Sequence, residues 1–170
     1  VFFKNNLKVL DCTFDVQNNL KKRLDQLCSE AEIAVREGCK HLILSDKKIS
    51  KKKAAIPMIL AFGAINSKLV NLGIRGFVSI NVQTGEVLDT HSFAVLLGVG
   101  ATTINPYLVF DSIYQRYEKN LFGKFSYKEC IQRYIKSVDN GLLKIMSKMG
   151  ISVLSAYRGG CNFETVGLSR

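Results

Sequence analysis

The feature that most constrains this chain is a short apolar run followed by apolar residues at helical spacing, repeated at intervals of roughly 35 residues. Residues 7–12 alternate and are β-prone. Leu20, Leu24, Leu27, Ala31, Ala34 and Val35 then share one helical face, with Asn18 or Asn19 as cap and Gly38 as stop. His41, Leu42, Ile43 and Leu44 make the second run, closed by Ser45 and Asp46. Pro57 suits a first helical turn, and Ile56, Ile59, Leu60, Ala64, Leu69 and Leu72 supply an apolar face that ends at Gly73. A third strand is expected over 76–82, then a turn at Thr84 and Gly85. All-apolar runs between helices are typical of a parallel sheet, whose faces are both covered. The class is α/β, either doubly wound or part of a barrel. Four or five strands cannot close an eight-stranded barrel.

The second half is richer in helix. Asp89 or Thr90 caps a short helix over 91–97, which Gly98 and Gly100 break before a brief strand at 101–104. Asn105 and Pro106 start a helix running to about Lys119. Ser126 and Glu129 have capping-box spacing. The helix they open uses Ile131, Tyr134, Ile135 and Val138, and Asn140-Gly141 is expected to interrupt it. Leu142, Leu143, Ile145, Met146 and Met149 then recur at helical spacing up to Gly150. Ile151, Val153 and Leu154 read as a further strand. The order is βαβαβαβα, a longer helical connector and one more strand.

Composition narrows the function. Hydrophobic residues make up 47% of the 170, enough for a buried core, and no span of ~20 apolar residues suggests a membrane helix. The net charge is +10, with one dense patch at Lys47, Lys48, Lys51, Lys52 and Lys53. No aromatic residue is interleaved there, as a single-strand binding platform needs. A solvated loop is expected, and nucleic acid is not an expected partner. Cys12, Cys28, Cys39, Cys130 and Cys161 form no Cys-x-x-Cys and no metal spacing, so reduced thiols are expected. There is no initiator Met and no stop signal, which reads as an internal fragment. Lys, Ile and Asn are frequent, which suits an AT-rich genome such as an organelle's.

The residues that carry chemistry elsewhere do not assemble a constellation here. Function in either architecture sits at the C-terminal ends of strands, which places Asp11–Thr13, Ser45, Asp46, Asn81 and 102–105 there. Asp11 and Asp46 offer two carboxylates, but capping and loop hydrogen bonds explain them at least as well. His41 lies at the wrong end of its strand. Asp89, His91 and Ser92 are too close along one turn to converge as a triad. Gly98-Val99-Gly100 follows a helix, so the dinucleotide fingerprint fails. Arg158-Gly159-Gly160 could hold an anion or simply turn the chain. Met146 and Met149 read as core; Ser147, Lys148 and Ser152 stand beside them. No catalytic, cofactor-binding or metal residue is assigned.

The stretch Lys144–Tyr157, with its core Met146-Ser147-Lys148-Met149-Gly150-Ile151-Ser152, resembles the large subunit of glutamate synthase, where the central region passes into the flavin domain. Ala55–Ala64, His91–Ala101 running on to Leu108, Leu10–Asp15 and Leu44-Ser45-Asp46 resemble further stretches of that family, in order. Departures are modest. Ala64-Ile65-Asn66-Ser67 replaces a histidine-rich segment, Asp46-Lys47 stands for Asp-Arg, and Gly160-Cys161-Asn162-Phe163 differs where Ala-Gln-Ile-Phe is common, which puts any ligand role of Cys161 or Asn162 in doubt.

The resemblance implies a barrel-like parallel sheet of β/α units followed by a helical connector. Residues 1–120 would be the later half of the central region, and 121–170 the connector and the start of the FMN-binding synthase domain. It implies an enzyme that makes L-glutamate from 2-oxoglutarate and glutamine-derived ammonia, using FMN and a 3Fe–4S cluster held outside this fragment. The part in hand would be structural and inactive alone. The composition points to ferredoxin as electron donor and partner, and to the plastid (chloroplast stroma), with a bacterial cytoplasm as the alternative. The alternative function is a stand-alone β/α binding protein for an acidic partner or nucleic acid.

Overall fold

Residues 6–160, 162–164 and 166–167 are described by the structure, a computed structural model. In chain order the elements are β1 (Leu7–Asp11), β2 (Thr13–Asp15), α1 (Leu20–Arg36), β3 (His41–Ser45), β4 (Lys53–Ala55), α2 (Met58–Asn71), β5 (Ser79–Gln83), α3 (Thr90–Gly98), β6 (Thr103–Asn105), α4 (Tyr107–Glu118), α5 (Tyr127–Lys148) and α6 (Leu154–Tyr157). Strands β1, β3, β5 and β6 pair in parallel, in that order. A doubly wound sheet needs a reversal of strand order. Here the order follows the chain, so right-handed crossovers place the connecting helices on one face. The four strands form an open, sequentially wound sheet, and no barrel closes among the described residues.

Register explains the two faces. Leu10, Leu44, Val82 and Ile104 stand side by side across the sheet, with Leu42 and Ile80 one pleat below. They pack against Leu27, Ala31, Ala34 and Val35 of α1 and Ala61, Phe62, Ile65 and Leu69 of α2. Each such fully buried large side chain contributes about 1.5–3 kcal/mol of burial. The opposite face carries Val9, Ile43, Asn81 and Thr103 in one row and His41 beside Ser79 in another. Most of these residues line an open concavity of about 530 Å³.

Caps fall where local chemistry puts them. Asn19 Oδ1 accepts from the Lys21 amide, Asp89 Oδ1 accepts from the Ser92 amide, and Ser126 and Glu129 form the full capping box. Several boundaries differ from the sequence reading. The third strand begins at Ser79, because Arg75–Phe77 is a 3₁₀ turn that leaves Phe77 exposed. The fourth is Thr103–Asn105, so Asn105 pairs with Gln83 and Pro106 takes the cap position of α4. The buried face of α2 is Met58, Ala61, Phe62, Ile65 and Leu69, which leaves Ile59 and Leu60 about half exposed. The lysine loop ends in β4, antiparallel to β2, an element too short to read from periodicity.

Two corrections concern the C-terminal part. Asn140-Gly141 does not interrupt the helix, because α5 runs unbroken through it. A Cβ at position 141 would stand 2.5 Å from Thr90 Cγ2, so glycine lets α3 and α5 approach closely. The further strand at Ile151–Leu154 is absent as well. Gly150, at φ +70°, turns the chain, and α6 comes next. Tyr157 of α6 is fully buried and donates its hydroxyl to Ala94 O at 3.2 Å. Burying that ring under α3 overrides the β-propensity of Ile151 and Val153. Met146 is buried and Leu142 and Ile145 pack beside it, whereas Leu143 and Met149 face outward.

Candidate functional site

The C-terminal edge of the sheet is the place to look, and its polar groups are committed to each other. Asp46, 1% exposed, comes directly after β3. Its carboxylate accepts from Thr84 Oγ1 at 2.6 Å and from the Gly85 amide at 3.1 Å. The Tyr107 hydroxyl lies against the same carboxylate. Burial first, and then Asp46, push Tyr107 up to about 12. Thus one buried carboxylate ties the end of β3 to the turn after β5 and the first residue of α4. Lys47 Nζ lies 4.9 Å from the Tyr107 ring centroid and closes this cluster from outside.

Asp11 is occupied differently. Its Oδ1 accepts from the Thr13 amide at 3.1 Å and from Thr13 Oγ1 at 2.7 Å. Its Oδ2 faces Lys48 Nζ at 3.7 Å and Lys53 Nζ at 3.9 Å. Arg23 underpins the turn, donating to Asp11 O and Thr13 O and pairing with Glu30. Asp11 and Asp46 therefore each serve a separate loop. A polar cleft of about 410 Å³ lies beside Asp11, bordered by Lys22, Arg23 and Lys53. Ser45 Oγ donates to Gln83 Oε1, and Thr103 Oγ1 to Asn81 Oδ1, both across neighbouring strands. Asn81 sits mid-strand on the open face, not at the strand end.

The remaining candidates resolve one by one. His41 Nδ1 is 2.6 Å from Ser79 Oγ at the N-terminal edge of the sheet. Asp89 and Ser92 are spent on capping α3, while His91 points away to an edge contact with Phe163. Gly98 leaves room for the Phe163 ring, which a Cβ there would displace. Ser147, Lys148, Ser152 and Arg158 are exposed. Cys161 lies outside the described residues, and Asn162 donates to Tyr157 O. Cys12 is buried and its thiol is pushed up to about 12, mainly by desolvation. It donates weakly to Leu10 O. Sequence reasoning misses Arg23, Thr84 and Tyr107 as parts of this edge. Only the Asn105-Pro106 helix start hints at Tyr107, by placing it where a new helix begins.

A cofactor would have to fit what is present. Of the described cysteines Cys28 is in α1, Cys130 in α5, and Cys12 and Cys39 in separate connections, and no group of three or more His, Cys, Asp or Glu among the described residues is arranged to hold a metal. They do not offer the ligands of an iron–sulfur cluster.

The profile of the glutamate synthase central domain matches residues 3–169. The chain belongs to this family. Among the relatives, the NADPH glutamate synthase large chain of Azospirillum brasilense is 51% identical over 164 residues, covering 95% of this chain and 11% of its own length. That of Bacillus subtilis is 42% identical over 152 residues, covering 89% and 10%. The chloroplastic ferredoxin-dependent enzyme of Spinacia oleracea is 41% identical over 166 residues, covering 91% and 11%. This glutamate synthase segment thus spans about a tenth of the length of the curated relatives it matches. No helix among its described residues is long and apolar enough to cross a membrane.

Proposed function

We propose that this segment is a structural part of a glutamate synthase large chain, an enzyme making L-glutamate from 2-oxoglutarate and glutamine-derived ammonia. FMN and a 3Fe–4S cluster would be held by other parts of that chain. Residues 1–120 supply the later half of the central region, and 121–170 lead toward the flavin-binding synthase domain. One observation carries the linking role. α5 spans 22 residues, packs on α3 through Gly141, and passes by way of Gly150 to a Tyr157 locked beneath α3. A strut held at both ends transmits position between the sheet and the synthase domain, and the polar edge of the sheet is already spent on structure.

Gly150→Val in the full-length enzyme tests this. The left-handed φ costs a β-branched residue about 1–2 kcal/mol and re-aims the segment beyond it. Glutamate formation, or its coupling to glutamine hydrolysis, is expected to fall more than glutaminase activity. Unchanged turnover and coupling would remove the linking role. For the electron donor we propose ferredoxin, with a plastid location, supported by the Lys-, Ile- and Asn-rich composition. Relatives of both donor types are similar to this chain, and that from Azospirillum brasilense is an NADPH enzyme from a bacterium. Activity with NADPH alone in the same assay would refute the ferredoxin reading.

A further inference from the structure

Arg75, in the 3₁₀ turn before β5, is half-buried, and its hydrogen bonds all go to neutral oxygens. Nε donates to Asn66 Oδ1 at 2.7 Å, one terminal nitrogen to Val78 O at 2.7 Å, and the other to Gly100 O at 3.3 Å. No carboxylate pairs with it among the described residues. The loop after α6 arrives at the same place. Gly159 N donates to Leu97 O at 3.3 Å, and a Cβ on Gly159 would lie 3.9 Å from Gly100 Cα. Arg158 is therefore delivered beside Arg75. It is exposed, and its side chain makes no hydrogen bond or ion pair among the described residues. Burial lowers the pKa of Arg75, and the charge of Arg158 lowers it further.

The backbone that carries Arg158 thus passes the corner that Arg75 occupies, and the two positive charges act on each other with no carboxylate paired to either among the described residues. Such an approach is unfavourable when one partner is half-buried. A guanidinium fork matches carboxylate and phosphate oxygens, and Arg75 has two of its five N–H groups uncommitted, the other three being spent on Asn66, Val78 and Gly100. We propose that Arg75 and Arg158 form an anion site that takes a single oxyanion group, a carboxylate or a phosphate. The oxyanion comes either from a small molecule or from an acidic side chain in the rest of the full-length polypeptide.

Thermal unfolding of the full-length protein tests this, with inorganic phosphate as probe against chloride at equal ionic strength, in wild type, Arg158→Gln and Arg158→Glu. Neither readout depends on turnover, and position 158 is exposed, so the variants fold. If the source is a free oxyanion, phosphate raises the wild-type Tm, and Arg158→Gln weakens the apparent phosphate affinity at least about tenfold. If the source is a carboxylate of the polypeptide, phosphate adds nothing, and Arg158→Glu lowers Tm clearly more than Arg158→Gln. A phosphate effect that persists in both variants overturns the site. So does an absent phosphate effect with Arg158→Glu no less stable than Arg158→Gln, because a carboxylate at an empty corner would simply pair with Arg75.

Discussion

At the scale of single residues, Gly141 and Gly150 show that one residue type can be required for opposite reasons. Gly150 has open space around it and is needed for its backbone angle. Gly141 is in ordinary helical geometry and is needed because Thr90 fills the place of a side chain. Alanine at 141 gains about 1 kcal/mol of helix propensity. It also overpacks the α3–α5 contact, at about 1–3 kcal/mol. Gly141→Ala is expected to be destabilising by roughly 1 kcal/mol in the balance of these terms. Combined with Thr90→Ala, which removes the Cγ2 and Oγ1 atoms in the way, the cost should vanish or reverse. A double-mutant cycle read by hydrogen exchange of the α3 and α5 peptides in the full-length protein checks it. Additive effects would mean that the two side chains do not meet.

At the scale of the element, α5 depends on a start signal that is also a pH sensor. Glu129 Oε2 accepts from the Ser126 amide and hydroxyl, both at 2.8 Å. The backbone bond first, and the hydroxyl second, hold the Glu129 carboxyl below its ordinary value of 4.5. A lowered folded value means that the stabilisation is fully present above about 4.5 and is lost as pH falls through the folded value. Protection of the first turns of α5 should therefore decline below about pH 4.5 in wild type, and Glu129→Gln should flatten that decline. Ser126→Ala removes the cap at neutral pH, at about 1 kcal/mol. Equal acid sensitivity in wild type and Glu129→Gln would assign the loss to other carboxylates.

At the scale of the whole molecule, a net charge of +10 is carried mostly on the surface, and its densest patch is not uniform. Lys48 and Lys53 face Asp11, and Lys47 lies over Tyr107, while Lys51 and Lys52 are exposed without an ion pair among the described residues. Sequence alone treats Lys51, Lys52 and Lys53 as one solvated group; the structure separates Lys53, which belongs to β4. Replacing Lys51 and Lys52 by Gln should change stability by only ~0–1 kcal/mol. Adding Lys53→Gln should cost somewhat more at low salt, with the increment fading as salt screens the Asp11 contact. Melting curves at two salt concentrations read both effects, and a large loss from the first pair alone would show that those side chains are packed.

The α/β class, the parallel strands and most helix ends were legible in the sequence because they rest on local rules. Periodicity acts over three or four residues, and caps such as Asn19, Asp89 and Ser126 with Glu129 bond to their own first turn. The family was legible too, in the motif around Met146 to Ser152, and the profile match over residues 3–169 bears it out. The candidate site was legible only as a set of residue names. Whether Asp46 is a free carboxylate or a knot between Thr84, Gly85 and Tyr107 depends on which strand ends become neighbours. Only tertiary structure decided that, and the other differences have the same origin. A three-residue strand exists through its partner, as β2 does through β4. A glycine stays within α5 because Thr90 of another helix fills its side, and a β-prone run gives way to α6 because a buried Tyr157 outweighs local propensity. In each case the deciding contact lies far along the chain, where no window of sequence can see it.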